Sequence, residues 1–265
     1  GTFIPLPGID PVALSEVFGQ QTTGILGMFD MFSGGALGRM TIFALNIMPY
    51  ITASIIMQLM TAIVPTLETL KKDGEAGRKQ INQYTRYLTV LLATVQGYGI
   101  AVALESAGTV VTEPGLFFRL TTVVTLVGGT LFLMWLGEQI TARGVGNGIS
   151  LIIFVGIIAQ FPIAVQNEIE AVINGLRSGL FEIVIVAIWV LIIASVVLLT
   201  QGQRRITVQY PRRVVGRKVY GGQSTHLPLK VNAAGVMPII FAQSIMFVPG
   251  TVSSFFPEIA VFQTM

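Results

Sequence analysis

The chain has 265 residues, of which 52% are apolar and only 11% are charged, and its formal net charge is +3. Soluble domains carry about 25% charged residues, so this composition excludes an ordinary soluble domain and indicates an integral membrane protein. There is no cysteine and one histidine, which excludes a disulfide framework, a thiolate metal site and a Cys/His nucleophile pair.

Six uncharged runs are long enough to cross a bilayer core, which requires about 20 apolar residues. They cover residues 40–64, 88–104, 120–137, 149–166, 183–200 and 233–252. The runs are continuous and do not alternate with a period of two, which favours helices over a β-barrel. The sequence therefore predicts an all-α integral membrane protein, a polytopic helical bundle.

The basic residues predict the orientation of these spans. Thirteen of the sixteen lie in alternate loops, and the other three, Arg39, Arg119 and Arg177, lie on the opposite side. Loops rich in lysine and arginine face the cytoplasm, so residues 1–39 are expected outside. The first ten residues have neither the basic region nor the long apolar run of a signal peptide. They are typical of the outer end of a span whose earlier part is missing.

Residues 24–35, GILGMFDMFSGG, are too few to span a bilayer, yet they are moderately apolar and end in a Gly-Gly pair. A helix that enters the membrane partway would fit, but only inside protein or a water-filled cavity. An amphipathic segment lying on the membrane surface fits equally well.

The next run, residues 40–64, contains Pro49 flanked by Ile47 and Ile51. The two isoleucines are four residues apart and therefore share one helix face. A proline inside a helix removes a backbone donor and bends it, so a bend is expected here. Both a pore wall and a kinked packing helix are compatible with this pattern. The last run, with Gly235, Pro238 and Pro249, is also suited to bending.

Three glycines at alternate positions from Gly144 to Gly148 follow a hydrophobic span, and their spacing is not that of a dinucleotide-binding loop. A tight turn between two spans explains them better. No span has an ionisable residue in its middle, which argues against an ion-coupled pump. A small-solute transporter would also need a midplane site, and none is visible.

Residues 201–232 form a long basic loop that includes RRITVQYPRRVVGRKVYGG and the only histidine, His226. No carboxylate is near His226, so a solvated or locally bonded histidine is expected rather than a metal ligand or a base. A loop of this length without regular structure is usually functional or disordered. Its positive charges either set the topology alone or dock an acidic or RNA-rich surface through phosphate contacts and stacking.

Long, irregular strings establish a family resemblance over nearly the whole chain. In order they are MFDMFSGGALGR, IFALNIMPYITASIIMQLM, LKKDGEAGRKQINQYTRY, GEQITARGVGNGISLIIF and QRRITVQYPRRVVGRKVYGGQSTHLPLKVNAAGVMP. They resemble the SecY family, the channel subunits of the bacterial Sec protein translocase. The resemblance implies ten spans in two inverted halves of five around a central pore. Residues 1–170 would then belong to the N-terminal half, from late in span one, and residues 171–265 would begin the C-terminal half, ending just after span seven.

The resemblance also implies roles for individual residues. A plug helix at 24–35 would close the channel from outside through Ile25, Met28, Phe29, Met31 and Phe32. The pore ring would consist of Ile47, Ile51, Ile149, Ile153 and Ile240. A lateral gate would open between runs 40–64 and 88–104 on one side and run 233–252 on the other, with Gln243 and Ser244 near the seam. Docking residues in the two large basic loops would be Lys71, Lys72, Arg78, Lys79, Arg204, Arg205, Arg212, Arg213, Arg217 and Lys218.

The same resemblance implies a multi-pass protein of the bacterial inner (cytoplasmic) membrane that conducts unfolded polypeptides and releases apolar segments sideways into lipid. Expected partners are the small subunits SecE and SecG, the motor ATPase SecA, the ribosome with its RNA, signal sequences, nascent polypeptides and membrane lipid. It implies no enzymatic activity, no metal and no cofactor.

Overall fold

A computed structural model describes residues 3–19, 30, 34–106 and 108–232 of the chain. The helices in these ranges are α1 (Pro11–Gly19), α2 (Met48–Ile63), α3 (Pro65–Lys72), α4 (Glu75–Ser106), α5 (Leu116–Arg143), α6 (Gly148–Ile158), α7 (Phe161–Ile173) and α8 (Gly179–Gln201). The strands are β1 (Gln203–Gln209), β2 (Arg213–Val215), β3 (Lys218–Tyr220) and β4 (Ser224–Lys230). The described residues fall into two compact units, 3–165 and 166–232.

Four helical segments in the described ranges are long and apolar enough to cross a membrane. They are α4, α5, α6 together with α7, and α8. The pair α2 and α3 gives a fifth candidate, bent by 100° at its break. The expected helices over residues 88–104, 120–137 and 183–200 are confirmed. The run 233–252 lies outside the described residues.

Residues 40–64 do not form the single bent helix that the sequence predicts. Residues 40–47 are a series of turns, with positive φ at Met40 (43°) and Asn46 (50°), and α2 begins only at Met48. Pro49 therefore lies in the first turn of the helix. Backbone N–H groups there have no intrahelical acceptor, so a proline costs the helix no hydrogen bond. The break occurs later, at Val64, which is extended and precedes Pro65.

The basic loop 201–232 is not irregular, contrary to expectation. Its first and last strands, β1 and β4, pair antiparallel over seven residues each, from Gln203 opposite Lys230 to Gln209 opposite Ser224. Beyond them β2 and β3 form a second hairpin, called the outer hairpin below. Its two-residue turn has Gly216 first, at φ +66°, followed by Arg217. Glycine at the first central position is the signature of a type II′ turn, which matches the twist of paired strands.

In the first unit, the N-terminal segment is bonded to two distant parts of the chain. Leu6 donates its N–H to the Met40 carbonyl (3.0 Å), and Asp10 donates to the Val110 carbonyl (2.8 Å). Helices α4 and α5 pack against each other beside these contacts. The core is formed by apolar residues of all these segments, namely Leu6, Leu14, Leu37, Met40, Ala44, Leu45, Ala93, Ala101, Leu104, Val110, Val111, Phe118 and Leu126.

Candidate pore and docking sites

The start of α6 is held in place by two local hydrogen bonds. Asn147 caps the helix, its side-chain oxygen accepting from the Ile149 N–H (3.1 Å), and Gly148 donates its N–H to Thr141 Oγ1 (2.9 Å). The glycines between α5 and α6 thus form the tight turn that the sequence predicts. The turn sets the position of Ile149, the first isoleucine of the second predicted ring pair.

One face of α6 is turned inwards. Ile149, Ile152, Ile153 and Gly156 are partly buried on it, whereas the neighbouring Phe154 is exposed. The spacing of three and four residues places the first four on one side of the helix. Ile149 packs towards α5, because its Cγ1 lies only 3.0 Å from where a Cβ on Gly137 would be.

The same face of α6 contacts the carboxyl end of the predicted plug range. The carbonyl oxygen of Gly156 lies 3.1 Å from the point that a Cβ on Gly34 would occupy. Gly156 follows Ile153 by one helical turn, so Gly34 lies against the face that carries both isoleucines of this pair. The plug residues Ile25, Met28, Phe29, Met31 and Phe32 lie outside the described residues.

Arg39 binds this end of the plug range, a role that its position in the sequence did not indicate. Its Nη2 donates to the Gly34 carbonyl (2.9 Å), and its Nε donates to the Gly35 carbonyl (3.1 Å). The guanidinium also lies 4.2 Å from the ring centroid of Phe3. One sequence feature could have indicated this role: Arg39 follows a Gly-Gly pair by four residues on the side that has few basic residues.

The first predicted ring pair lies where α2 begins. Ile47 is fully buried immediately before the helix, and Ile51, one turn later, is half-buried and donates its N–H to the Ile47 carbonyl (3.1 Å). The convergence of this pair with Ile149 and Ile153 on one constriction stays a prediction. The fifth ring member, Ile240, and the gate residues Gln243 and Ser244 lie outside the described residues.

The first basic surface is the turn between α3 and α4. Gly74, at φ +82°, reverses the chain there, and Gly77 lies so close to the Leu70 carbonyl that a methyl group would overlap it. This turn leaves Lys71, Lys72, Arg78 and Lys79 exposed. Lys72 forms an ion pair with Glu68 (2.9 Å) on the same helix.

The second basic surface is the double hairpin, and its charges fall into two groups. One group, next to the end of α8, consists of Arg204, Arg205 and Lys230, the last of which pairs with Gln203. The other group, Arg212, Arg213, Arg217 and Lys218, lies around the outer hairpin. All seven are exposed. Residues 201–232 contain no Asp or Glu. His226 is exposed opposite Thr207, as expected of a solvated histidine.

Comparison with known sequences gives a consistent result. A family model described as SecY matches residues 41–265. The protein translocase subunit SecY of Rickettsia conorii is 56% identical over 259 residues, covering 96% of this chain and 60% of the relative. The protein of the same name from Escherichia coli K12 is 54% identical over 263 residues, covering 97% of this chain and 58% of the relative. The chain thus spans about 60% of the length of these relatives.

Solved structures show the same fold. One concerns the plug domain of the SecY protein, described as stabilising the closed state of the translocation channel and maintaining a membrane seal. It matches with a TM-score of 0.58 at 19% identity, covering 95% of this chain and 60% of that one. Another is Sec61 in the canine ribosome–channel complex from the endoplasmic reticulum. It matches with a TM-score of 0.55 at 20% identity, covering 82% and 48%.

Proposed function

Because the chain belongs to the SecY family, we propose that it forms part of the channel subunit that passes unfolded polypeptides across the bacterial cytoplasmic membrane. Residues 1–170 supply the N-terminal half, and residues 171–265 begin the C-terminal half. The subunit conducts a substrate without changing it chemically, so it is not an enzyme. The names of the relatives and the apolar helices α4, α5 and α8 support this assignment.

The observation that carries the proposal is the contact of Gly34 with the face of α6 that holds Ile149 and Ile153. In this proposal the plug, residues 24–35, rests against a ring completed by Ile47, Ile51 and Ile240. Branched aliphatic side chains make no directed bonds, so they can surround any sequence that passes. When the pore is empty, such an apolar constriction resists wetting and blocks ions.

The lateral gate is the second element of the mechanism. Signal sequences are apolar helices, and a sideways opening lets them transfer into lipid by ordinary hydrophobic partition. The gate lies between runs 40–64 and 88–104 on one side and run 233–252 on the other, with Gln243 and Ser244 near its seam. The stretch 40–47 supports this role, because it is a series of turns and α2 therefore does not continue a preceding helix.

Partners dock on the cytoplasmic side. The basic turn between α3 and α4 and the outer hairpin offer exposed cations to ribosomal RNA or to the acidic surface of the motor ATPase SecA. The ribosome complex of the structurally similar Sec61 supports the first of these partners. The small subunits SecE and SecG complete the assembly in the membrane.

The test is photo-crosslinking from the channel to a stalled secretory polypeptide. A photoreactive amino acid at Ile47, Ile149 or Ile240 should capture the polypeptide, because these side chains line the constriction. The same amino acid at Phe154, which is exposed next to Ile153, should capture lipid or nothing. Equal yields at Phe154 and at the three isoleucines would contradict the proposed ring.

A further inference from the structure

Arg39 ends a tight corner of the chain, called the glycine corner and defined as residues 34–39. Gly34 and Gly35 are buried and have positive φ, 69° and 81°, whereas Arg39 is exposed. The carbonyl groups of buried residues require hydrogen-bond donors. The guanidinium supplies one donor to each glycine, Nη2 to the Gly34 carbonyl and Nε to the Gly35 carbonyl. One exposed side chain therefore satisfies two successive peptide groups of a buried turn.

Asp30 bonds the glycine corner a second time. Its Oδ1 accepts the Gly38 N–H (2.7 Å), and its backbone carbonyl accepts the Gly35 N–H (2.8 Å). A hydrogen bond in which one partner is ionised is stronger than one between neutral groups. The corner is thus bonded to a cation at Gly34 and to an anion at Gly38.

The glycine corner lies against α6 at two successive levels. Gly34 is next to Gly156, and a Cβ on Gly35 would lie 2.7 Å from Gln160 Nε2. Gln160 follows Gly156 by four residues and belongs to the break between α6 and α7. The same Cβ would lie 2.7 Å from Arg39 Nη2. The side chains of Arg39 and Gln160 therefore both lie close to Gly35, which leaves no room for a side chain there.

The N-terminal segment also contacts Arg39. Ile42 donates its N–H to the Ile4 carbonyl (3.2 Å), and the ring centroid of the adjacent Phe3 lies 4.2 Å from the Arg39 guanidinium carbon. A guanidinium stacks favourably on an aromatic face, and this contact limits the orientations of its planar fork. Arg39 therefore connects the N-terminal segment to the corner and, through Gly35, to the end of α6.

We propose that Arg39 is a positioning residue, which keeps the glycine corner on the face of α6 that carries Ile149 and Ile153. The inference rests on the proposed function, in which residues 24–35 seal the pore, because the corner contains the last two residues of this range. Release of the corner from α6 then raises the ion leak of the resting channel. The role depends on a fork that donates to two carbonyls, and a lysine ammonium does not have this geometry.

The first test measures how well the glycine corner is protected from solvent. Because the chain has no cysteine, Leu37→Cys places a single thiol in the corner, at a position that is 9% exposed. A charged methanethiosulfonate reagent labels this thiol in lipid nanodiscs. Arg39→Gln should increase the labelling rate by about ten-fold, since losing a hydrogen bond to a charged group shifts a local opening equilibrium by about that factor. Arg39→Lys should increase it nearly as much. Unchanged labelling in Arg39→Gln, or full protection in Arg39→Lys, would overturn the proposal.

Two controls separate positioning from a general loss of stability. Val110→Cys places the thiol at a fully buried position of the same apolar core but outside the corner, and Arg39→Gln should not change its labelling. Arg177→Gln removes another arginine that the charge rule places outside, one paired with Glu168 (2.7 Å), and should leave the thiol of Leu37→Cys protected. Equal increases at the two thiols, or equal effects of the two arginine variants, would refute a specific role of Arg39 at the corner.

The last test measures the seal itself. In the assembled channel, Arg39→Gln should raise the resting conductance of planar bilayers by about the same factor as the labelling rate, because both follow the population of released corners. Arg177→Gln should not raise it. Transport of a secretory polypeptide by the unsubstituted channel is measured in parallel. If that channel transports and Arg39→Gln does not leak, the proposed function stands and the positioning role in the seal is refuted. If the unsubstituted channel transports nothing, the proposed function fails, and the labelling rates still decide whether Arg39 holds the corner.

Discussion

At the scale of single residues, glycines set how closely the membrane segments approach. Gly129 of α5 lies so close to the Ile42 carbonyl that a methyl group would overlap this oxygen, and the same methyl group would lie 3.2 Å from Phe43 Cδ1. Its neighbour Gly128 has open space around it. The close contact matters because residues 40–47 are not helical and carry Ile47 into the interior. Gly129 thus allows the close packing of the segment that positions Ile47, a member of the predicted ring.

We expect Gly129→Ala to destabilise the protein by about 1–3 kcal/mol, since overpacking a tight contact forces the backbone to move. Gly128→Ala is the matched control and should be neutral or stabilising by up to about 1 kcal/mol, because alanine favours a helix. Thermal unfolding in detergent measures both. Equal changes in the two variants would show that the contact with Ile42 does not constrain the fold.

At the scale of elements, ion pairs connect the antiparallel helices α4 and α5 at both of their ends. At one end Arg86 and Glu138 form two hydrogen bonds (3.1 and 2.8 Å). At the other end Arg119 and Glu105 are 2.6 Å apart, and Glu105 also accepts the Gly115 N–H (3.0 Å). All four charges lie outside the uncharged runs 88–104 and 120–137. This arrangement leaves only apolar and neutral polar side chains in the middle of the two spans.

Glu105→Ala should lower Tm clearly, because it leaves both the Arg119 guanidinium and the Gly115 N–H without their acceptor. Glu68→Ala removes an exposed pair within one helix and should change stability by at most about 0.5 kcal/mol. Thermal unfolding of both variants in detergent measures the two decreases in Tm. A decrease in Tm for Glu68→Ala as large as that for Glu105→Ala would argue that the Glu105–Arg119 pair contributes no more than an exposed ion pair.

At the scale of the molecule, contacts bring together on one side three segments that the charge rule also places on one side. Residues 4–10 are bonded to 40–42 and to 110–112, and the charge rule places all three segments outside. The basic turn between α3 and α4 and the double hairpin belong to loops that the same rule places in the cytoplasm. Soluble partners in the cytoplasm would therefore bind the basic loops, whereas the segment bonded to Arg39, at Gly34 and Gly35, would lie on the outer side.

Arg217→Glu with Lys218→Glu should weaken ribosome binding to the reconstituted chain, because both residues lie at the tip of the outer hairpin. Each lost phosphate contact lowers the slope of log binding constant against log salt by about one, so the slope should fall by about two. A salt titration measures this. An unchanged slope in the tip variant would exclude these two residues from docking.

Much of the architecture could be predicted from the sequence, because a bilayer imposes its own length scale. About 20 uncharged residues are needed for a span, and α4, α5 and α8 occur where runs of roughly that length occur. The i, i+4 spacing of Ile149 and Ile153 likewise predicts a shared face, and both are half-buried on α6. The mistake at Pro49 arose because proline fits both a kink and a first turn, and the sequence pattern did not separate them.

The sequence by itself determined the helical class, the spans α4, α5 and α8 and the charge of each loop, since these depend on composition over short windows. Only the tertiary structure decided that residues 40–47 leave the helix, that 201–232 pair into two hairpins, and that Gly34 rests on Gly156. Each of these depends on contacts between residues that are not adjacent in the chain: Gly129 with Ile42, and strand with strand. Such contacts have no periodicity in the sequence, so hydropathy and charge could not reveal them.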